Sequence, residues 1–327
     1  MDKFSSAQSI LITGGTGSFG RTMLLDCLTR GVQEVRVFSR DEEKQDLLRN
    51  QICDDRVKYY IGDIRDYDAV VRATRGVDVV FHAAALKQVP SCEFFPNEAV
   101  NTNFLGSSNV INAGVEAGVS RIICLSTDKA VFPVNAMGMT KALQEKIILS
   151  DDLEKGNTKF CCVRYGNVLG SRGSVIPLWD NKIKKNKPLP VTHPEMTRFM
   201  LTLTEAIQLV FYALKNSKGG EIFVKKAPAT KIVDLAKMYG EIITGRKDYP
   251  ITYVGRRAGE KIHEVLVSEE EMRNVTEKKD HFIIHRELAF DLNSLKKKSV
   301  SEYSSATVPV ITKQDLWKLM KNLAWIP

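Results

Sequence analysis

A doubly wound parallel α/β sheet with a smaller C-terminal cap is the fold class this sequence predicts, on three observations. Through the first half, short apolar runs alternate with longer amphipathic stretches, the pattern of a parallel sheet covered on both faces. A glycine-rich turn directly follows the first apolar run and opens a helical pattern. Beyond residue 171 the chain changes character: Pro177, Pro188, Pro190, Pro194, Pro228 and Pro250 interrupt it and its pieces shorten, as in a cap of loops and helices.

In chain order, Ser9–Thr13, Glu34–Phe38, Val57–Ile61, Val77–Ala83 and Arg121–Ser126 read as buried strands rich in Val and Ile. Helical patterns lie between them at 19–32, 41–53, 66–75, 96–118 and 138–154. Lys159–Val163 and Glu221–Val224 read as later strands, and Ile232–Thr244 and Lys313–Leu323 as amphipathic helices. Repeats and low-complexity segments are absent.

The 327 residues suffice for a substantial core, and 43% hydrophobic with 26% charged residues is ordinary globular composition. The net charge of +8 is spread along the chain, with short clusters at Lys182–Lys187 and Lys296–Lys298 that read as solvated surface. The basic residues lack interleaved aromatic stacking positions, so a nucleic-acid partner is poorly supported. The six cysteines show no metal-ligand spacing and read as small buried hydrophobes in a reducing compartment. No signal-peptide pattern precedes Ser9, and no stretch approaches the roughly 18 apolar residues of a membrane helix. A cytoplasmic protein without a membrane partner is expected.

Strand Ser9–Thr13 runs into Gly14-Gly15-Thr16-Gly17-Ser18-Phe19-Gly20. Gly14 and Gly17 let the backbone turn sharply and approach a pyrophosphate, Gly20 lets the helix pack closely on the strand, and the helix N-terminus offers free N–H groups. This is a Rossmann-type dinucleotide site. Residues 1–170 are expected to form an NADP-binding domain and 171–327 mainly a substrate-binding cap, with a segment at about 200–230 returning to the sheet. At the second strand's end, where NAD enzymes usually carry an acid, stand Arg40 and, one turn on, Lys44. Arg40 can stack on adenine and pair with a 2′-phosphate, which favours NADP over NAD. Asp41 is the competing acid, or simply a helix cap. After the third strand, Asp63 and Ile64 place a carboxylate that either accepts from the adenine amine or caps the helix at 66–75.

These motifs, with Arg65-Asp66, His82-Ala83-Ala84-Ala85 and the Lys141 motif, resemble the extended short-chain dehydrogenase/reductase family. The closer likeness is to configuration-inverting UDP-N-acetylglucosamine 4,6-dehydratases. It is carried by Ser39–Glu42, Ala85–Pro90, Ser126–Ala130, Arg164–Val168, Gly170–Pro177 and Gly259–Glu264. The resemblance implies that Ala83 and Ala84 line the cofactor. It also implies three chemical stages: C4 of the hexose is oxidised by hydride transfer to NADP, water is lost across C5 and C6, and hydride returns to C6.

Such chemistry needs a base for the C4 hydroxyl, a base at C5, an acid for the C6 hydroxyl and a donor at O4. The strand ending at Ser126 delivers Thr127, Asp128 and Lys129 to the carboxyl edge of the sheet, where such folds bind ligands. Asp128 is expected as the acid, Lys129 as the C5 base and Thr127 as the hydrogen bond near O4. Lys129 needs a lowered pKa, through burial or a cationic neighbour such as Lys141. In the family, a lysine four residues after a tyrosine binds the nicotinamide ribose and lowers the phenol's pKa. Lys141 can keep the first role, but the tyrosine position is Met137, whose thioether has no titratable proton. Met137 itself reads as an apolar residue on the helix surface. A subgroup of the inverting dehydratases from bacterial capsule and O-antigen pathways shares Met-x-x-x-Lys, so the resemblance implies an active enzyme in which Lys129 also serves the C4 hydroxyl.

By the same resemblance Lys87 meets the sugar or Asp128, Asn167 and Arg198 the diphosphate, and Gly173, Ser174 and Val175 the nucleotide. Arg257 and Glu260 take the second charge and the ribose hydroxyls, and His263 is a structural helix residue. The partner implied is a nucleotide sugar, UDP-N-acetylglucosamine first, on a homo-oligomer, since relatives are often hexamers or dimers. Alternatives are the dehydratase that begins pseudaminic acid synthesis, another UDP- or GDP-sugar dehydratase or epimerase, or a catalytically silent NADP-binding protein.

Overall fold

Strand and helix alternate through the first half of the chain. The computed structural model describes residues 8–150, 156–286 and 300–321. It begins β1 (Ser9–Thr13), α1 (Ser18–Thr29), β2 (Glu34–Ser39), α2 (Glu42–Ile52), β3 (Val57–Ile61), α3 (Tyr67–Thr74) and β4 (Val79–His82). It continues with α4 (Val89–Phe94), α5 (Pro96–Ala99), a π-helical turn over Val100–Leu105, α6 (Gly106–Glu116), β5 (Arg121–Leu125), α7 (Ala136–Ile148) and β6 (Lys159–Arg164). The next elements are β7 (Asn167–Val168), α8 (Val175–Lys184), β8 (Leu189–Val191), β9 (Thr197–Leu201), α9 (Leu203–Asn216) and β10 (Glu221–Lys225). Then come β11 (Ala229–Lys231), α10 (Ile232–Thr244), β12 (Ile251–Tyr253), β13 (Val265–Val267) and α11 (Glu269–Met272). The hairpin β14 (Val275–Glu277) and β15 (His281–Ile284), then β16 (Tyr303–Ser304) and α12 (Lys313–Lys321), complete the described elements.

The main sheet has the order β14-β15-β10-β6-β5-β4-β1-β2-β3. Its strands are parallel from β3 to β10, and the β14–β15 hairpin adds an antiparallel edge. The chain reverses direction across the sheet between β1 and β4, so their carboxyl ends open the crevice where such sheets bind ligands. One face is covered by α1 and α9 through Met23, Leu24, Ile207 and Val210. The other is covered by α3 and α6 through Val70, Ala73, Val110 and Ile111. The expected doubly wound parallel sheet is the observed one, because strands buried on both faces must be apolar at nearly every position.

Helix starts follow local chemistry. Asp41, Asp66 and Asn135 accept from the N–H groups of Lys44, Ala69 and Gly138, and Thr202 with Glu205 forms a capping box ahead of α9. The single helix expected over 96–118 is instead α5, the π turn and α6. The extra residue in the π turn turns Asn103 inward, where it bonds both backbone groups of Leu86 and the Thr140 hydroxyl. Helices α4, α8 and α9 were not among the expected elements. The expected tail of α7 at 151–154, the end of α12 at 322–323 and the Lys296–Lys298 cluster lie outside the described residues. The second half carries its own core of Trp179, Leu189, Met200, Leu235, Tyr239 and Leu316.

Sheet, helix and cap meet at Arg164, which is 1% exposed at the end of β6. Its guanidinium bonds Glu145 of α7 at 2.6 and 3.0 Å, Glu271 of α11 at 2.8 and 2.9 Å, and the Leu266 carbonyl at 2.8 Å. Arg164→Met leaves two carboxylates facing an apolar end and is expected to cost about 3–5 kcal/mol, read as a lower urea midpoint.

Candidate active site

A cleft of about 660 Å³ lies at the carboxyl edge of the sheet and is closed on one side by the cap. On its cofactor side the β1–α1 turn places Gly14 at φ 66°, and a Cβ there would stand 2.8 Å from the Ala84 nitrogen. Gly17 begins α1 without a side-chain acceptor, so the helix keeps N–H groups for a ligand. Thr16, Ser18, Phe19, Gly20, Ile64, Ala83 and Ala84 line the same wall. This cradle fits a dinucleotide pyrophosphate.

At the end of β2, Arg40 is half exposed, with Nη1 3.3 Å from Asp63. Lys44 pairs with Asp41, and Asp41 caps α2, the structural member of its two readings. Asp63 does not cap the next helix; Asp66 does. Burial would raise the Asp63 carboxyl, but bonds from Arg65 and the charge of Arg40 outweigh it and hold it below the usual range. Behind the wall, Thr13 Oγ1 lies 2.7 Å from His82 Nδ1, and His82 Nε2 lies 2.9 Å from the Ser107 hydroxyl. Ser107 donates to the Asn103 carbonyl, which assigns the proton to His82 Nε2. Burial, aided by the Lys141 charge, pushes His82 down to about 3, so the imidazole is neutral.

On the opposite wall, Thr127 Oγ1 donates to Asp128 Oδ1 at 2.9 Å, and Lys129 Nζ donates to the same oxygen at 2.8 Å. Lys129 lines the cleft, whereas Asp128 is fully buried behind it and does not. The lowered Lys129 pKa is not what the structure shows. Burial alone would lower the amine, but the carboxylates of Asp128 and Glu264 outweigh it, and the resting group is an ammonium. Burial likewise raises Asp128, and the Lys129 charge and bonds outweigh that, so the pair rests ionised. Lys141 donates to the Leu125 carbonyl at 2.8 Å and to Gln144 at 2.7 Å, and it is this amine that burial lowers.

Met137 is 4% exposed, packed with Cys92, Ala99, Leu86 and Val89 while still lining the cleft; it is not a helix-surface residue. Its neighbour Gly138 went unread in the sequence. A Cβ there would collide with the Lys129 carbonyl oxygen, so this glycine lets α7 press against the turn that carries the Asp128–Lys129 ion pair.

Toward the cap, Lys87, Asn167, Gly173, Ser174, Arg257 and Glu260 line the cleft. Asn167 Oδ1 and Ser174 Oγ are buried without a protein partner, as are Ser126 Oγ and Thr102 Oγ1 on the same walls. Such orphaned polar atoms are what a polar ligand satisfies. Val175 and Arg198 do not line the cleft. Arg198 donates to the carbonyls of Thr197, Lys261 and Ile262, so its guanidinium cements the cap. His263 lies in the loop before β13, not in a helix, with Nδ1 2.8 Å from the Thr197 hydroxyl. Asp128 pairs with Lys129 rather than with Lys87. Arg172 was missed: its N–H donates to Ser18 Oγ and its Nη1 to the Thr16 carbonyl, tying the loop of Gly173 and Ser174 across the glycine turn.

Residues 10–286 match the family model described as polysaccharide biosynthesis protein. The chain belongs to this family. The resemblance to extended short-chain dehydrogenase/reductases therefore holds. A Rickettsia felis protein named UDP-glucose 4-epimerase is 44% identical over 333 aligned residues, covering 98% of this chain and 97% of its own length. The X-ray structure of Pen from Bacillus thuringiensis is 40% identical, covers 98% of each chain and superposes with a TM-score of 0.90. DesIV, a dTDP-glucose 4,6-dehydratase from Streptomyces venezuelae crystallised with NAD, shares the fold at a TM-score of 0.72 and 20% identity, covering 78% of this chain and 87% of its own.

In this family member Gly14→Ala is expected to weaken NADP and NAD binding at least about tenfold, since the added Cβ meets the Ala84 backbone at a left-handed φ. Calorimetry checks this, and an unchanged affinity places the cofactor elsewhere.

Proposed function

We propose that the protein is an NADP-dependent UDP-N-acetylglucosamine 4,6-dehydratase that inverts C5, acting in surface-polysaccharide biosynthesis. The observation that carries the reading is the Thr127–Asp128–Lys129 cluster on the wall that faces the glycine turn across one cleft. An epimerase that only exchanges hydride at C4 has no use for an acid and a base at C5 and C6.

A nicotinamide dinucleotide, its pyrophosphate held at the glycine turn, would supply hydride acceptance from C4 and hydride return at C6. The chain's own residues manage the protons. Moving one proton along the 2.8 Å Lys129–Asp128 bond turns the ion pair into a neutral amine and a neutral acid. A substrate that expels water from the cleft favours this neutral pair. The amine takes the C5 proton. Asp128 has no direct opening to the cleft, so its proton reaches the leaving C6 oxygen through the Thr127 hydroxyl, which donates to it at rest. Met137 has no proton to exchange; Lys129 takes the C4 hydroxyl proton through water and passes it on to solvent before it takes the C5 proton, and a proton from solvent returns to C5 on the opposite face. Asn167 and Ser174 offer their unpartnered polar atoms to the nucleotide diphosphate. Phe94 and Phe95, 81% and 58% exposed, leave apolar surface of the kind a homo-oligomer buries.

The name carried by the Rickettsia relatives favours a second reading, a UDP-hexose 4-epimerase. Incubation with UDP-N-acetylglucosamine and with UDP-glucose in deuterated water, followed by NMR, separates the two. A dehydratase gives a 4-keto-6-deoxy sugar with deuterium at inverted C5; an epimerase gives a C4 epimer without it. Lys129→Ala is expected to lower kcat by about 100- to 10,000-fold. Wild-type turnover in that variant removes Lys129 from the chemistry. Arg40→Ala is expected to raise the Kd for NADP at least about tenfold while moving that for NAD little; equal changes in calorimetry would remove the NADP preference.

A further inference from the structure

Glu264 is buried at the start of β13, 2% exposed. Its carboxylate meets cations from three parts of the fold: Lys261 Nζ at 3.0 Å, Lys129 Nζ at 3.7 Å and Arg198 Nε at 3.8 Å. Lys261 Nζ also donates to the Val131 carbonyl at 2.8 Å, on the chain that leaves the catalytic turn. The Glu264 backbone is pinned on both sides, its N–H donating to Ser305 Oγ at 2.9 Å and its carbonyl accepting from the Ser305 N–H at 2.8 Å. One buried carboxylate therefore joins the cap to the turn that carries Asp128 and Lys129.

The charged groups facing Lys129 are Asp128 on its own turn, Glu264 from the cap loop and Arg198 from β9, with Lys261 behind Glu264. Three cations and two anions leave this cluster one positive charge in excess; without Glu264 the excess is two. We propose that Glu264 is a positioning residue that holds the Lys129 amine at the cleft wall between two carboxylates and sets how readily it releases its proton. The proposal rests on Lys129 being the base of the reaction proposed above. It divides the work between the two acids. Asp128 exchanges a proton with the amine, and the Glu264 carboxylate, 3.7 Å from Lys129 Nζ, keeps the amine in its place when Asp128 is neutral.

The sign of the effect follows from the charges. Both carboxylates raise the Lys129 pKa. Removing one lets the amine titrate at lower pH. The test needs no turnover. Full-length protein and Glu264→Gln are labelled with limiting acetic anhydride over a pH series, and Lys129 acetylation is read by mass spectrometry against the exposed Lys184 as internal reference. The expected result is a Lys129 midpoint lower by at least about one pH unit in Glu264→Gln, a tenfold change in proton affinity, with Lys184 unmoved. An unmoved Lys129 midpoint in the folded variant overturns the proposal. If Glu264→Gln does not fold, Glu264→Asp, which withdraws the charge by one methylene, is expected to lower the midpoint by a smaller step. If neither variant folds, Glu264 is structural cement and the proposal fails. A shifted midpoint in an enzyme that dehydrates nothing would overturn the proposed function and leave this coupling standing. Where turnover exists, the rising limb of kcat against pH is expected to move to lower pH by the same amount.

Discussion

Arg164 cannot reach water, and the shape of the cleft follows from how its charge is satisfied. A buried guanidinium costs several kcal/mol unless charges and hydrogen bonds offset the loss of solvent. Here the offset comes from Glu145 and Glu271, on elements far apart in sequence, so the end of β6, helix α7 and helix α11 are drawn to one point. Helix α7 is also the helix of Met137 and Lys141, and the residues after Arg164 lead into Asn167 and Ser174. One ion triad thus fixes α7 against the strand that leads to Asn167 and Ser174. The Arg164 pKa is raised further by the same carboxylates although burial opposes it, so its guanidinium stays charged.

Close backbone approach is the second constraint. Gly14 lets the first turn lie against the β4 loop at Ala84, and Gly138 lets the start of α7 lie against the Lys129 carbonyl. Neither contact tolerates a Cβ, so both walls of the cleft are positioned by main chain. This is the stiff support that pre-organised polar groups need.

Met137 changes its meaning in this setting. It closes a small apolar cluster with Cys92 and Ala99, and the groups that could carry protons gather on the neighbouring turn. There Thr127 and Lys129 share one oxygen of Asp128, with Glu264 beyond. The proton inventory of the cleft sits on a buried acid, a hydroxyl and an amine instead of a phenol. Lys141, relieved of any phenol partner, ties α7 to the end of β5 through the Leu125 carbonyl.

The parallel sheet and its order of strand and helix were written in local pattern, because strands buried on two faces must be continuously apolar and a phosphate turn must be rich in glycine. The same locality made Thr127 and Lys129 readable, since a polar triplet at the end of an apolar strand has one place to go. The capping box of Thr202 and Glu205 is equally local and marks the start of α9. Protonation was beyond the sequence. Lys129 is raised rather than lowered because Glu264, 135 positions away, arrives beside it only when the cap folds over. Arg198 left the cleft because the carbonyls of Lys261 and Ile262 and the carboxylate of Glu264 meet its guanidinium once the cap has folded over. Residue type and spacing determined which chemistry this protein carries; tertiary packing alone decided where each proton rests, because burial and distant charges set proton affinity.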